Sequence, residues 1–221
     1  MSYRYFAFLD LLGYKELIKA DLKSGIPDLR DRLTASFGSL GNVNEADVSI
    51  QGISDSIFLT LNTDTLGFEF FVEVVRNLQL EFIKNGLLLR GCISFNQHFQ
   101  NGKVTYSPAL VDAYELETKS AFFPRIVIHQ AVIAKLGNEN KLEEVINKKL
   151  LIKHASIYQV HLINNENWNN LYAQLSSIAK NNMAMIECDP RVYAKHWYLQ
   201  EYMEKYRPKG SRFRKYLPSW L

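Results

Sequence analysis

The chain is 221 residues long, 47% of them apolar, with a formal net charge of +3 at neutral pH. That suits one globular domain with a sizeable core, and so small a charge does not by itself imply a nucleic-acid partner. No apolar run reaches the roughly 18–20 residues of a membrane-spanning helix, and two distant cysteines, Cys92 and Cys188, argue against a disulfide framework or a zinc site.

Residues 3–10 are aromatic and alternate weakly, which predicts a strand. The chain enters that strand with no basic region and no apolar leader ahead of it, so the expectation is a cytoplasmic protein. Short helices are predicted over 12–20 and from Ile26-Pro27-Asp28 to about Phe37, with Pro27 suited to a first helical turn and Gly38 and Gly41 ending it. Residues 47–53 and 56–61 read as a hairpin around Ser54-Asp55. Leu66, Phe70, Val74, Leu78 and Phe82 recur at four-residue steps, predicting an amphipathic helix over 64–85 with Gly86 at its end. A strand follows over 87–95, a short one over 103–106, a helix over 108–121 and a strand over 125–129.

That β-α-β-β-α-β-α-β order predicts an α+β fold, a ferredoxin-like antiparallel sheet with helices on one face. The core spans about 1–135 and a C-terminal α/β elaboration about 136–221, all in a single domain. In the elaboration the pattern predicts a strand over 157–163 and helices over 168–180 and 192–206. Lys205, Arg207, Lys209, Arg212, Arg214 and Lys215 follow with no acid among them, and a solvated end accounts for them as well as an anion partner does.

Two acids carry the chemical signal. Asp10 closes the first strand before the turn Leu11-Leu12-Gly13-Tyr14, and Asp55 sits between two serines at the hairpin tip. If both turns lie at one end of the sheet, the carboxylates meet, and paired carboxylates suit Mg²⁺ or Mn²⁺, hard cations that also hold phosphates. The plainer alternatives are a helix N-cap for Asp10 and an ordinary turn residue for Asp55. His98 and His129 stand alone and suit surface or satisfied core roles.

The runs Phe8-Leu9-Asp10-Leu11-Leu12-Gly13-Tyr14, Ser54-Asp55-Ser56, Leu89-Arg90-Gly91-Cys92-Ile93, Pro108 to Glu117, Phe123-Pro124-Arg125-Ile126-Val127-Ile128 and Arg191 to Leu199 occur in that order. Together they resemble the catalytic domain of class III nucleotidyl cyclases, and more closely the pyrimidine cyclases of bacterial Pycsar antiphage defence. The resemblance implies an enzyme that converts a nucleoside triphosphate, UTP or CTP, to its 3′,5′-cyclic monophosphate with two bound metal ions, Mn²⁺ or Mg²⁺. It implies Asp10 and Asp55 as metal ligands, and Leu11, Leu12, Gly13 and Tyr14 as a backbone cradle for phosphates. It also implies a homodimer and a separate effector protein that reads the product, with no nucleic-acid or membrane partner.

The chain departs from the cyclase pattern in three places. Gln51 stands where purine cyclases place a base-reading Lys; an amide both donates and accepts, which suits a pyrimidine edge. Val111 and Glu115 stand where the transition-state Asn and Arg are usual, which leaves Arg90 and Arg125 as candidate cations. The run Ser94-Phe95-Asn96-Gln97-His98 lacks the Gly common after that strand. These departures keep two rivals open: a catalytically silent relative that binds nucleotide or regulates a partner, and an RNA-binding module, for which the basic-aromatic strand motif is missing.

Overall fold

The structure is a computed structural model, and it describes residues 1–38, 40–41, 43–101 and 104–218. Its first half runs β1 (Ser2–Leu11), α1 (Tyr14–Ser24), α2 (Asp28–Gly38), β2 (Val48–Ile53), β3 (Ser56–Leu61), α3 (Phe68–Lys84) and β4 (Leu89–Asn101). Then come β5 (Val104–Tyr106), α4 (Pro108–Ser120), β6 (Ile126–Ile128), α5 (Gln130–Asn138) and α6 (Leu142–Asn147). The chain closes with β7 (Leu151–His154), β8 (Ile157–Val160), α7 (Trp168–Asn181), α8 (Met183–Cys188) and α9 (Pro190–Lys205). The main sheet has the order β2-β3-β1-β4-β6-β8-β7, with β5 hairpinned onto β4. The fold is α+β, and its first four strands are antiparallel in the ferredoxin-like order.

The central strand explains its own weak alternation. Successive side chains of a strand point to opposite faces, and both faces of β1 are covered. Tyr5, Ala7, Leu9 and Leu11 join one core with Phe71, Val75, Leu78 and Phe82 of α3. Phe6 and Phe8 point the other way, onto Cys92, Val127 and the small residues Ala109 and Ala113 of α4. The expected helical layer on one face is therefore present as α2 and α3, and α4 adds a cover to the opposite face. Polar residues on β4 fasten that cover. Ser94 Oγ donates to the Ala109 carbonyl at 2.7 Å and Asn96 Nδ2 to Asp112 at 2.8 Å, while His98 Nδ1 meets Ser107 Oγ, the N-cap of α4, at 2.9 Å. The strand runs on to Asn101 rather than ending near residue 95 because Asn96, Gln97 and His98 pair with Arg4, Tyr3 and Ser2 of β1, and Phe99 to Asn101 with β5.

Other boundaries move for local reasons. Gly13, at φ 78, turns the chain left-handed and delays the first helix to Tyr14. Thr63 and Thr65 bond each other, so α3 begins at Phe68 and not at 64. The strand expected over 103–106 begins at Val104 among the described residues; residue 103 lies outside them, as do residues 219–221 of the C-terminal elaboration. Helices α5, α6 and α8 and strand β7 are additions to the expected list. His129 caps α5, accepting the Ala131 N–H at its Nδ1. Gly91 fits only as glycine, since a Cβ there would lie 2.2 Å from the Phe8 carbonyl oxygen on β1.

The C-terminal elements extend the same sheet and the same core. Trp168, Leu171, Leu199, Tyr202 and Met203 belong to the cluster that also holds Leu9 and Phe71. Tyr202 Oη accepts the Leu162 N–H at 2.8 Å, which leaves its proton for His161 Nδ1 at 2.8 Å, so His161 sits as the neutral imidazole. Burial depresses both His161 and His196 to about 4, with Arg76 and Lys149 adding to the first and Lys195 to the second. Both are neutral in the fold, so above about pH 6.5 they bring no penalty. As pH falls from 6.5 toward 4 the unfolded chain takes up two protons that the fold refuses, at a cost of about 3 kcal/mol each. Urea titrations at pH 7.5, 6 and 5 should show the midpoint falling steeply through this window; a flat profile would show that these imidazoles protonate within the fold.

Candidate active site at one end of the sheet

The end of β1, the β2–β3 turn, the start of β4 and the segment before β6 come together at one end of the sheet. Ile53, Ser56, Asp10 and Arg90 form one row across four strands. Asp55 is in the two-residue turn with Ser54, which adopts φ 60. The Asp55 carbonyl accepts the Leu11 N–H at 2.8 Å, so a main-chain hydrogen bond sets Asp55 beside Asp10. The Asp55 carboxylate is half-buried and, among the described residues, takes part in no ion pair or hydrogen bond.

Asp10 is engaged. Its Oδ2 accepts Arg90 Nε at 2.7 Å, and Glu117 Oε1 lies 2.8 Å from the same nitrogen. That nitrogen carries one proton, and it goes to Asp10. Glu117 gains the charge but no directed hydrogen bond, and its Oε1 is buried without one. With a side chain only 5% exposed, Glu117 is pushed above the usual carboxylate range by burial; Arg90 opposes the shift and the Asp10 charge adds to it.

The expected phosphate cradle is narrower than four residues. The Leu11 N–H is taken by Asp55 and the Leu12 N–H by Leu88 at 2.9 Å, because both residues still belong to the sheet edge. Gly13 and Tyr14 remain, at the start of a helix whose N-cap has no side-chain bond. Gln51 is exposed on edge strand β2, opposite Phe58, which lies against Phe8. It therefore shares the α4 face with Asp10, two strand spacings across, about 10 Å, and two residues along, about 7 Å. Asp55 is off the strand ladder, so the turn rather than strand alternation relates it to Gln51.

The two expected cations part company. Arg90 is at the acids. Arg125 lies beside the stacked Phe123 and Tyr198 rings, at 5.5 and 5.6 Å, and donates to the Ser120 carbonyl at 2.9 Å and to Gln159 Oε1 at 3.4 Å. Its contacts are packing contacts, and it meets no carboxylate among the described residues. On α4, Val111 is exposed and Glu115 pairs with Lys119 at 3.0 Å on the surface. Two site residues were not anticipated. Glu117 had a signal, since Ala109, Ala113 and Glu117 fall on one helical stripe, and an acid continuing a buried alanine stripe is out of place. Lys195 had none; only the course of α9 brings it near.

The donor set fits a hard divalent cation. Asp10 and Asp55 are main-chain neighbours at the sheet end, and carboxylates leave coordination positions for water and phosphate oxygens, as Mg²⁺ favours. No third His, Cys, Asp or Glu joins them in metal-binding range among the described residues. A cleft of about 750 Å³ opens at the opposite end of β1, lined by Tyr3, Tyr5, Phe68 and Lys135. It holds neither acid, and its Lys135 and Lys141 are paired with Glu139.

No helix among the described residues is long and apolar enough to cross a membrane. No family model matches the chain. No curated protein matches it. Among solved structures, the guanylyl cyclase Cya2 is similar over 74% of this chain and 94% of that one, at 13% identity and a TM-score of 0.45.

Proposed function

We propose that this chain is a metal-dependent nucleotidyl cyclase acting on UTP or CTP. The observation that supports it best is the main-chain bond from Leu11 to Asp55, which sets an unpaired carboxylate beside Asp10 at the sheet end, next to the uncapped start of α1. In the proposed reaction the ribose 3′-oxygen attacks the α-phosphorus and the bond to the bridging oxygen of the β-phosphate breaks. Pyrophosphate leaves, and the hydroxyl proton passes to solvent. Bound Mg²⁺ or Mn²⁺, held by Asp10 and Asp55, supplies charge for the attacking and leaving oxygens. The N–H groups of Gly13 and Tyr14 orient the phosphates, and Gln51 meets the base. The product is a second messenger for a separate effector in antiphage defence, made in the cytoplasm.

The silent-relative reading has one specific point in its favour: Arg90 holds Asp10 in an ion pair. The RNA-module reading has lost its surface, because α3 and α4 cover the aromatics on both faces of β1. Incubation with each of the four nucleoside triphosphates and Mn²⁺, followed by mass spectrometry, should yield cyclic UMP or cyclic CMP. Nucleotide binding without product would favour the silent relative.

Asp10→Asn and Asp55→Asn should each abolish product. Neither should lower stability by more than about 1 kcal/mol, because Arg90 keeps Glu117 as a counter-charge and Asp55 has no partner to lose. A folded variant that keeps full turnover removes that residue from the metal site.

Gln51→Ala should blunt base selectivity several-fold without ending turnover, since one hydrogen bond to a neutral group is worth about 0.5–1.5 kcal/mol. The measurement is kcat/KM for UTP, CTP, ATP and GTP in both proteins, and ratios that do not move exclude Gln51 from base reading.

The working form is proposed to be a two-fold homodimer. Val111 and Tyr114 on α4, with Val104 and Tyr106 on β5, are large apolar side chains left exposed in the single chain. Sedimentation at assay concentration should give twice the chain mass; an active monomer sinks the idea.

A further inference from the structure

We propose that Lys195, delivered by α9, is the cation that meets the triphosphate of the substrate. The inference rests on the cyclase reading, and it names a residue that the resemblance does not assign.

The geometry begins with α9. Asp189 caps its start, accepting the Arg191 N–H at 2.8 Å, with Pro190 in the first turn. One turn beyond Lys195, Tyr198 stacks on Phe123 with ring centres 4.7 Å apart and donates to Gln159 at 2.8 Å. Leu199, Tyr202 and Met203 then bury into the main core. The helix is thus anchored on both sides of Lys195, and the approach of that side chain to the sheet end follows from packing. Its ammonium lies 5.6 Å from the centre of the Phe122 ring, in the short segment between Glu117 of α4 and Arg125 before β6.

The electrostatics point to a missing anion. The Lys195 side chain is half-buried, and no carboxylate among the described residues lies within ion-pair distance of it. Burial lowers its proton affinity most and the Arg90 and Arg191 charges add to that, while Asp189 and Asp10 work against it. Phe122, which the ammonium faces, is three residues before Arg125, whose carbonyl accepts the N–H of Gly91 next to Arg90 at 3.1 Å. The other cations here are committed: Arg90 to two carboxylates, Arg125 to two rings and a carbonyl. Val111 and Glu115 supply none. A ring contact holds an ammonium less strongly than a charge-assisted bond to phosphate. Lysine suits the task as a mobile point charge.

The test uses the full chain with Lys195→Met and Lys195→Arg, probed with inorganic tripolyphosphate and Mg²⁺ by calorimetry, and with UTP and CTP by kinetics. Lys195→Met should weaken tripolyphosphate binding and raise KM by roughly 10- to 100-fold. Lys195→Arg should recover part of both. Melting of the unliganded Lys195→Met protein should be no lower than wild type, since the ammonium has no ion pair to lose, which separates lost binding from lost folding. Cyclic product from the wild type with unchanged tripolyphosphate binding in Lys195→Met overturns the inference and leaves the cyclase reading standing. Lost binding in Lys195→Met with no product from the wild type supports the phosphate contact and removes the cyclisation. A wild type that binds no tripolyphosphate overturns the inference.

Discussion

The sheet end depends on one strand. β1 is buried on both faces from Tyr5 to Leu9 and reaches partial exposure only at Asp10. Because α3 covers one side and α4 the other, β1 cannot slip by a residue without turning each set of side chains to the wrong core. Its register is therefore secured over its whole length, and Asp10 inherits that precision. The bond from Leu11 to Asp55 passes it to the hairpin tip, and the close approach at Gly91 passes it to β4.

Arg90 is the element that makes the unliganded arrangement tolerable. It faces Asp10 across the strand pair and Glu117 from the helix above. Two acids share one nitrogen whose proton goes to Asp10, and burial raises the proton affinity of Glu117. Replacing such a group by apolar side chains would often be neutral or stabilising, so a half-satisfied ion cluster is weak as a stability device. Asp55, half-buried and unpaired, is the most open carboxylate of this set.

The C-terminal elements do more than thicken the molecule. β8 and β7 extend the sheet, and α7 and α9 close the α3-side core. In doing so α9 carries Lys195 past the aromatic segment between α4 and β6 and brings positive charge to the acids from about 185 residues downstream of Asp10 in sequence. The stack of Phe123 on Tyr198, with Arg125 beside it, joins the segment before β6 to α9.

Local pattern was enough for much of this. The alternation around Ser54-Asp55 marked a hairpin, the four-residue steps from Leu66 to Phe82 marked α3, and Asp10 and Asp55 stood out as acids at the ends of apolar strands. Those features depend on residues near one another in sequence, where strand period, helix period and turn chemistry act directly. The facing of α4, the extension of β4 through Asn96 and His98, and the occupied N–H groups of Leu11 and Leu12 depend on partners far away in the chain. Lys195 and Arg125 show the limit most plainly. Each is a basic residue in a run that carries the resemblance, and what separates the unpaired ammonium from the packed guanidinium is which rings, carbonyls and carboxylates the folded chain places beside it, a matter of desolvation and distance that only tertiary packing decides.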